Sequence, residues 1–409
     1  MIVGKSIQTA TEVIAHRLDS ASFEENFAWL CEQVPRLALA VETPQQPEWH
    51  GEGSVYNHLN MVFAEARALA ATLPDDERHV LLLASLLHDV GKTWCTRPRE
   101  DAKTGRTLIV SPRHAGEGAQ YLQLLWDDTS LPVAWRDAVL SLVAFHHHPA
   151  RLAESFNPWL LAYVTRHISG RLLYLLELAD IRGRIAADKA GALERLEMFR
   201  LFCEEHECYE RPSGLDRRLQ KAMGNDSAVD TLLLTRHALI RGTFLDPAQG
   251  VACFHAPTAQ RVVMMCGLAG SGKSTQARLL AEALDAVIIA PDDFRTRDDV
   301  KARSDAWRQA IQALKQALGQ GRSVIYDACN VRQDYRNNIE RVAAAYNVPL
   351  GVVPVMTSPG DAMRRNRQRT GRDRVPDEVI ARQFESFERL DLTRYAFWSA
   401  EEVVASLRR

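Results

Sequence analysis

One short stretch narrows the possible folds of this chain more than any other. Gly267-Leu268-Ala269-Gly270-Ser271-Gly272-Lys273-Ser274 follows directly on the apolar run Val262-Val263-Met264-Met265-Cys266. Glycines at this spacing let backbone N–H groups converge on a phosphate, and a helix starting at the end of the loop adds the positive end of its dipole. The run before the loop is therefore predicted to be a strand and the run after it a helix. In such a unit Gly267, Gly270 and Gly272 shape the loop, Lys273 neutralises phosphate charge, and the Ser274 hydroxyl binds Mg²⁺ with Thr275 beside it. The implied ligand is a nucleoside triphosphate, ATP first among them. The loop leaves the acceptor of any phosphoryl group open.

Periodicity divides the rest of the chain. Residues 11 to 245 read as successive amphipathic helices, for example 59–73, 77–88, 112–126 and 134–145. Between two of these, residues 93–112 hold Gly105 and the apolar Leu108-Ile109-Val110, which predicts a loop or small hairpin. From residue 261 onward, short β-rich runs at 262–266, 286–289, 323–326 and 350–356 alternate with helical segments, the pattern of a parallel sheet. The predicted fold class is multidomain: an all-α helical domain over 1–190, a helical connector over 191–258, and an α/β P-loop domain with a parallel sheet over 259–409. The connector is broken at Pro212-Ser213-Gly214 and Gly224-Asn225-Asp226.

Composition removes several function classes. At 409 residues the chain is too long for one compact core, and 46% hydrophobic with 25% charged residues is ordinary for globular domains. A formal net charge of -2 gives no global basic field, so nucleic-acid contact has to come from local patches. Seven cysteines without a C-x-x-C pair predict reduced, mostly buried thiols and a cytoplasmic setting. No apolar run approaches the ~20 residues that span a bilayer. The first residues lack a signal-peptide apolar stretch, and Gly4-Lys5-Ser6 lacks the strand and first glycine of a second phosphate loop.

Acceptor chemistry is expected downstream of the loop. Ala290-Pro291-Asp292-Asp293-Phe294-Arg295 follows the second β-run, placing a carboxylate at a strand's C-terminal end, where α/β sites gather. Asp292 is suited to accept a hydroxyl proton, and Arg295 to hold a neighbouring phosphate. Asp327, after 323–326, is placed for a Mg²⁺-associated or water-holding role, and Asn330 for substrate contact. The arginines between Met363 and Pro376, Arg365 and Arg369 among them, read as a lid reaching transferring phosphates.

This block, from about residue 261 to 390, resembles the kinase domain of 5′-OH polynucleotide kinases. The resemblance implies that Lys273 and Ser274 are the P-loop pair, Asp292 the general base and Arg295 the grip on substrate phosphate. It also implies that Asp327 is the strand-end aspartate and that Arg365 and Arg369 are the lid arginines. Asp327 and Asn330 stand three apart where the phage enzyme has two, which sets Asn330 outside the pattern.

The N-terminal part resembles the HD superfamily of metal-dependent phosphohydrolases, offering His58, His88-Asp89 and Asp180 in order. The resemblance implies that these residues hold a divalent ion activating water against a phosphoester, with Asp89 also counted as catalytic. Imidazoles and carboxylates suit Mn²⁺, Co²⁺, Ni²⁺, Zn²⁺ or Fe²⁺ alike. His114 and His146, the latter favoured over His147, stand either as ligands to a second metal or as phosphate contacts. Lys92, Arg182 and Arg184 are candidate phosphate contacts, His148 a solvent-facing bystander, and His50 and His79 are without a partner pattern.

Taken whole, the chain resembles the bacterial HD-Pnk RNA-repair enzymes. That implies removal of 2′-, 3′- or 2′,3′-cyclic phosphates at one site and phosphorylation of 5′-OH ends at the other. The partners implied are RNA or DNA ends and a nucleic-acid ligase. Two other readings stay open: a small-molecule kinase joined to an HD nucleotidase, or an HD hydrolase governed by a nucleotide-sensing P-loop domain.

Overall fold

The computed structural model describes residues 9–224, 229–254, 260–295, 300–391 and 394–397. Gly4-Lys5-Ser6 and the break at Asn225-Asp226 lie outside them. The chain forms two compact units, residues 1–215 and 216–409. The segment expected to be a connector divides between them. Its helix Ala190–Glu205 packs on Gly170–Arg182 in the first unit, and Val229–Ile240 packs with Pro247–Phe254 in the second.

The first unit is helical because its apolar residues recur at helical spacing. In the helix Val55–Ala70, Val55, His58, Leu59, Val62, Phe63, Ala66 and Ala70 are buried on one stripe. Its start is set by Ser54, whose hydroxyl accepts from the Asn57 amide at 3.2 Å. The neighbouring helix Asp75–Leu87 opens on Asp75, Asp76 and Glu77, which suit the positive end of its dipole. Every residue from His79 to Leu87 is buried, so its C-terminal end delivers His88-Asp89 into the interior. The predicted hairpin is present as β1 (Arg97–Glu100) and β2 (Thr107–Val110), paired antiparallel with Arg97 opposite Val110.

The second unit carries a five-stranded parallel sheet. Its strands are β3 (Val262–Cys266), β4 (Ala286–Ile289), β5 (Ser323–Tyr326), β6 (Leu350–Pro354) and β7 (Ala396–Phe397). They lie in the order β4-β5-β3-β6-β7. β3, buried along its whole length, is central, and strand order reverses there, so the loop after it opens at the sheet's switch point. β7, only two residues long, had no signal in the sequence.

Buried Arg336 ties this unit together. Its guanidinium donates to the carbonyls of Asn330, Val331, Glu388 and Arg389 at 2.9 to 3.1 Å. Hydrogen bonds from a charged donor contribute about 1.5–3 kcal/mol each, and removing the donor strands buried carbonyls. Arg336→Ala should therefore cost the second unit at least ~3 kcal/mol, read as a lower midpoint in urea unfolding.

Candidate active sites

Four helical segments deliver the first site. His58 lies on the buried stripe of its helix, His88 caps the end of Asp75–Leu87, His114 opens the helix His114–Leu125, and Asp180 lies in Gly170–Arg182. They converge on Asp89. His114 Nε2 lies 3.0 Å from Asp89 Oδ1, and His58 Nε2 and His88 Nε2 each lie 3.5 Å from Oδ2. His146 Nε2 is 3.8 Å from Oδ1, and Asp180 Oδ1 is 3.0 Å from His58 Nε2.

Backbone contacts orient the imidazoles. Nδ1 of His88, His114 and His146 lies 2.9, 2.7 and 2.9 Å from the carbonyl oxygens of Ser85, Ser111 and Val143. Donation there leaves Nε2 as a lone-pair donor facing the carboxylates, the tautomer a metal ligand needs. Close approach also fixes Gly91: a Cβ there would stand 2.0 Å from the His114 carbonyl oxygen. Arg113, just before that histidine, adopts φ 61°, a conformation uncommon for a side-chain-bearing residue.

The donor set fits a divalent cation. Both Asp89 oxygens, Asp180 Oδ1, and Nε2 of His58, His88 and His146 are buried without a well-aligned hydrogen-bond partner. His58, His88 and Asp180 present one atom each within 4.8 Å of one another. Burial opposes charge on Asp89, but Lys92 and then His88 hold its carboxyl well below the usual range. Burial, reinforced by His88, pushes His146 well below the usual histidine range.

Several roles differ from the sequence reading. Lys92 is buried, its Nζ 2.7 Å from Asp89 Oδ2 and 2.8 Å from Gln45 Oε1. Arg184 is engaged with Asp180 through its Nη2 and, at 3.2 Å, the backbone oxygen, whereas Arg182 is exposed. His50 belongs to the site: its Nδ1 lies 2.8 Å from Glu52 Oε1 and its Nε2 3.5 Å from Lys92 Nζ. His79 has a partner in Asp19 at 3.0 Å. His148 is half-buried, edge-on to Phe145. His147 Nε2 comes 3.1 Å from His114 Nε2, so His146 and His147 both join the cluster.

Two carboxylates were missed. Glu52 Oε1 lies 2.9 Å from His58 Nδ1, and Oε2 accepts the Ile185 amide at 2.8 Å. Burial would raise this carboxyl, but His50, His58 and the backbone amide hold it far below the usual range. The available signal was its place two residues ahead of the Ser54 cap. Glu177, three residues before Asp180 and so on its helix face, is buried with Oε2 unpartnered. Burial and then Asp180 push its carboxyl up to about 8.

The second site lies at the carboxyl ends of β3, β4 and β5. Gly270 adopts φ +85°, and a Cβ there would stand 2.3 Å from the Ala362 carbonyl oxygen, in the helix Pro359–Asn366. Arg365 of that helix donates through Nη1 to the Ser271 carbonyl at 3.2 Å, as does Thr357 Oγ1 at 3.3 Å. Lys273 is buried, donating to the Leu268 carbonyl at 2.6 Å, and Ser274 and Thr275 are exposed at the helix start. Asp292 is exposed after β4, with Oδ1 3.5 Å from Arg295 Nη1. Asp327 directly follows β5, and its amide donates to the Ile289 carbonyl of β4 at 2.9 Å, which sets the Asp292 and Asp327 strand ends side by side. Arg369 lies exposed beyond the helix Pro359–Asn366.

Asn330 departs from its expected role. It is buried at φ 48°, and its amide donates to the Met265 carbonyl at 2.8 Å. It braces the strand beneath the phosphate loop.

Comparison with known proteins agrees with this division. The HD domain family model matches residues 55–193, and an AAA domain model matches residues 262–390. The chain carries an HD domain followed by a P-loop domain. No curated protein matches it. Solved structures similar to it include a sugar kinase from Janibacter sp. HTCC2649 at 17% identity, covering 36% of this chain and 91% of that one, with a TM-score of 0.29. A gluconokinase from Sinorhizobium meliloti 1021 is 21% identical, covering 37% and 92%, with a TM-score of 0.27. The Mycobacterium tuberculosis APS kinase, solved with AMPPNP and APS, is 20% identical, covering 37% and 100%, with a TM-score of 0.28. Among the described residues no helix is long and apolar enough to cross a membrane.

Two outcomes test the HD site. Partners that orient a ligand imidazole are worth about 10–100-fold in metal affinity. Glu52→Gln should weaken Mn²⁺ binding by about that factor in equilibrium dialysis. For Glu177, an acid raised in the folded chain keeps a proton that the unfolded chain releases above about 4.5, so stability falls as pH rises from there towards 8. Metal-free Glu177→Gln should melt above the wild type at pH 8 and level with it at pH 4.

Proposed function

We propose that the chain heals broken nucleic-acid ends: the P-loop domain phosphorylates a 5′-OH, and the HD domain removes a 2′-, 3′- or 2′,3′-cyclic phosphate. The observation that carries this reading is the presence of two chemically opposite phosphate sites in one chain. A buried His/Asp cluster lies in one domain and a P-loop with an adjacent exposed carboxylate in the other. A strand break that leaves 5′-OH and phosphate ends requires both activities before a ligase can act.

In the kinase half, the loop amides and Lys273 would bind the phosphates of ATP, with Ser274 and Thr275 towards Mg²⁺. Exposed Asp292 would take the proton of the 5′-OH. Arg295, with Nη1 3.5 Å from Asp292 Oδ1, would hold the neighbouring 3′-phosphate. Asp327 would serve the Mg²⁺ region. Arg365 and Arg369 would meet charge on the transferring phosphoryl group, which loads the lid with positive charge beside the loop.

In the hydrolase half, His58, His88, Asp89 and Asp180 would hold a divalent ion, with His114 and His146 as further ligands or phosphate contacts. Such an ion supplies Lewis acidity and activates water near neutral pH. The chain's own part is orientation and charge. Glu52 would fix the His58 ring, Arg184 would hold Asp180, and Lys92 would place a cation at the Asp89 end where phosphate arrives.

The test is γ-labelled ATP with a short 5′-OH RNA carrying a 2′-phosphate, beside Asp292→Ala and Asp89→Ala. Label should reach the RNA 5′ end and phosphate should leave the other end. Asp292→Ala should lose about 10²–10⁴-fold in kinase rate alone, as expected for a general base. Asp89→Ala should abolish phosphate release alone. ATP consumption without RNA labelling would instead point to a metabolite acceptor.

A further inference from the structure

The HD site has a rim that none of the roles above uses. The loop 45–51 runs along it, with four of its side chains committed in sequence order. Gln45 Oε1 accepts from Lys92 Nζ at 2.8 Å, and Gln46 Oε1 accepts the Ile109 amide of β2 at 2.8 Å. Glu48 pairs with Arg106 of the hairpin turn at 2.6 Å. His50 turns back into the site against Glu52 and Lys92. Trp49 stands between the residue paired with the hairpin and the residue paired with the His/Asp cluster, and it is 51% exposed. Tryptophan is seldom left so open at a polar rim, where its area would otherwise be buried.

The hairpin rises from the same rim. Lys92 leads into β1, and His114 follows β2 after three residues. At its base, the hydroxyls of Thr96 and Ser111 lie 2.7 Å apart, and the carbonyl of Ser111 accepts from His114. All of β1 is exposed. Alternation along a strand puts Arg97 and Arg99 on one face. Lys103 and Arg106 lie in the exposed turn, and Arg113 is exposed beside His114. The excursion 97–113 carries Arg97, Arg99, Lys103, Arg106 and Arg113 against Glu100 and Asp101. A locally basic arm therefore stands out from a chain of net charge -2.

An exposed indole beside basic side chains is how proteins hold single strands: bases stack on the ring, and cations follow the backbone. We infer that Trp49 and the hairpin form a platform for the last nucleotides of a single-stranded 3′ end, with Trp49 stacking a terminal base and Arg97 and Arg99 meeting backbone phosphates. This rests on the polynucleotide reading above. The platform would let the HD domain select polymer ends over free phosphoesters with the same metal chemistry.

The experiment uses the full chain, wild type beside Trp49→Ala and Arg97→Ala/Arg99→Ala. Short single-stranded RNA and DNA with 3′-phosphate ends are followed by fluorescence anisotropy and phosphate release, and p-nitrophenyl phosphate serves as a substrate without bases. Stacking is worth about 1–3 kcal/mol per base. Trp49→Ala should therefore weaken oligonucleotide binding and raise its KM by about tenfold, leaving p-nitrophenyl phosphate hydrolysis unchanged. The arginine variant should weaken binding at low salt and flatten its salt dependence, because fewer counterions are released.

Oligonucleotide affinity equal to wild type in both variants overturns the platform. So does a parallel loss of p-nitrophenyl phosphate hydrolysis, which would make the loop merely structural. Trp49-dependent binding without release of the 3′-phosphate by the wild type would keep the platform and sink the end-healing reading.

Discussion

Negative charge buried in the helical unit is the constraint around which that unit is arranged. Asp89 and Asp180 are nearly inaccessible, and Glu177 lies one helical turn from Asp180. Burying carboxylates costs several kcal/mol each unless cations or hydrogen bonds meet them. Lys92 is spent on Asp89 and Arg184 on Asp180, yet Glu177 is pushed up to about 8. The remaining deficit, ringed by imidazoles whose Nε2 atoms face inward, is the electrostatic demand that a divalent ion meets. Helices that bury apolar stripes elsewhere converge here on their polar positions.

In the P-loop domain the constraint is steric and lies in the backbone. A loop that presents its amides to an anion must turn tightly, and Gly270 passes too near the Ala362 carbonyl for any side chain. The helix that crowds it carries Arg365, whose guanidinium reaches the Ser271 carbonyl. The loop and the helix Pro359–Asn366 are thus in contact at the backbone level. The Arg365 guanidinium is positioned by the same packing that shapes the loop.

Much of this was legible in the residues. The runs before the phosphate loop and before Asp292 and Asp327 coincide with β3, β4 and β5, because continuous apolar runs between turn residues have few other uses. His58, His88, Asp89, His114, His146 and Asp180 come together as their order suggested, although spacing alone could not say that His147 would join them. Glu52 and His50 stayed hidden because they lie in a loop, where no periodicity marks which side chains turn inward. Asn330 was misread for a related reason. Its place after a strand looked like a substrate contact, whereas its positive φ and buried amide make it a brace. β7 pairs only through the backbone at Gly351 and Val352, a pattern no short sequence encodes.

The close approach of Gly91 to His114 has a consequence for how such a site can vary. Two segments that bear side chains of the His/Asp cluster are clamped there, and the hydroxyls of Thr96 and Ser111 close a second clasp just beyond. Everything beyond the second clasp, residues 97–110, is an excursion that leaves and returns at fixed points. Lengthening it costs only a logarithmic entropy increment, about 0.6 kcal/mol per doubling, and leaves the clustered side chains where they are. The arm can thus be rebuilt, shortened or extended while the buried His/Asp cluster stays in place, so the outline of the rim and the geometry of the cluster are separable in this architecture.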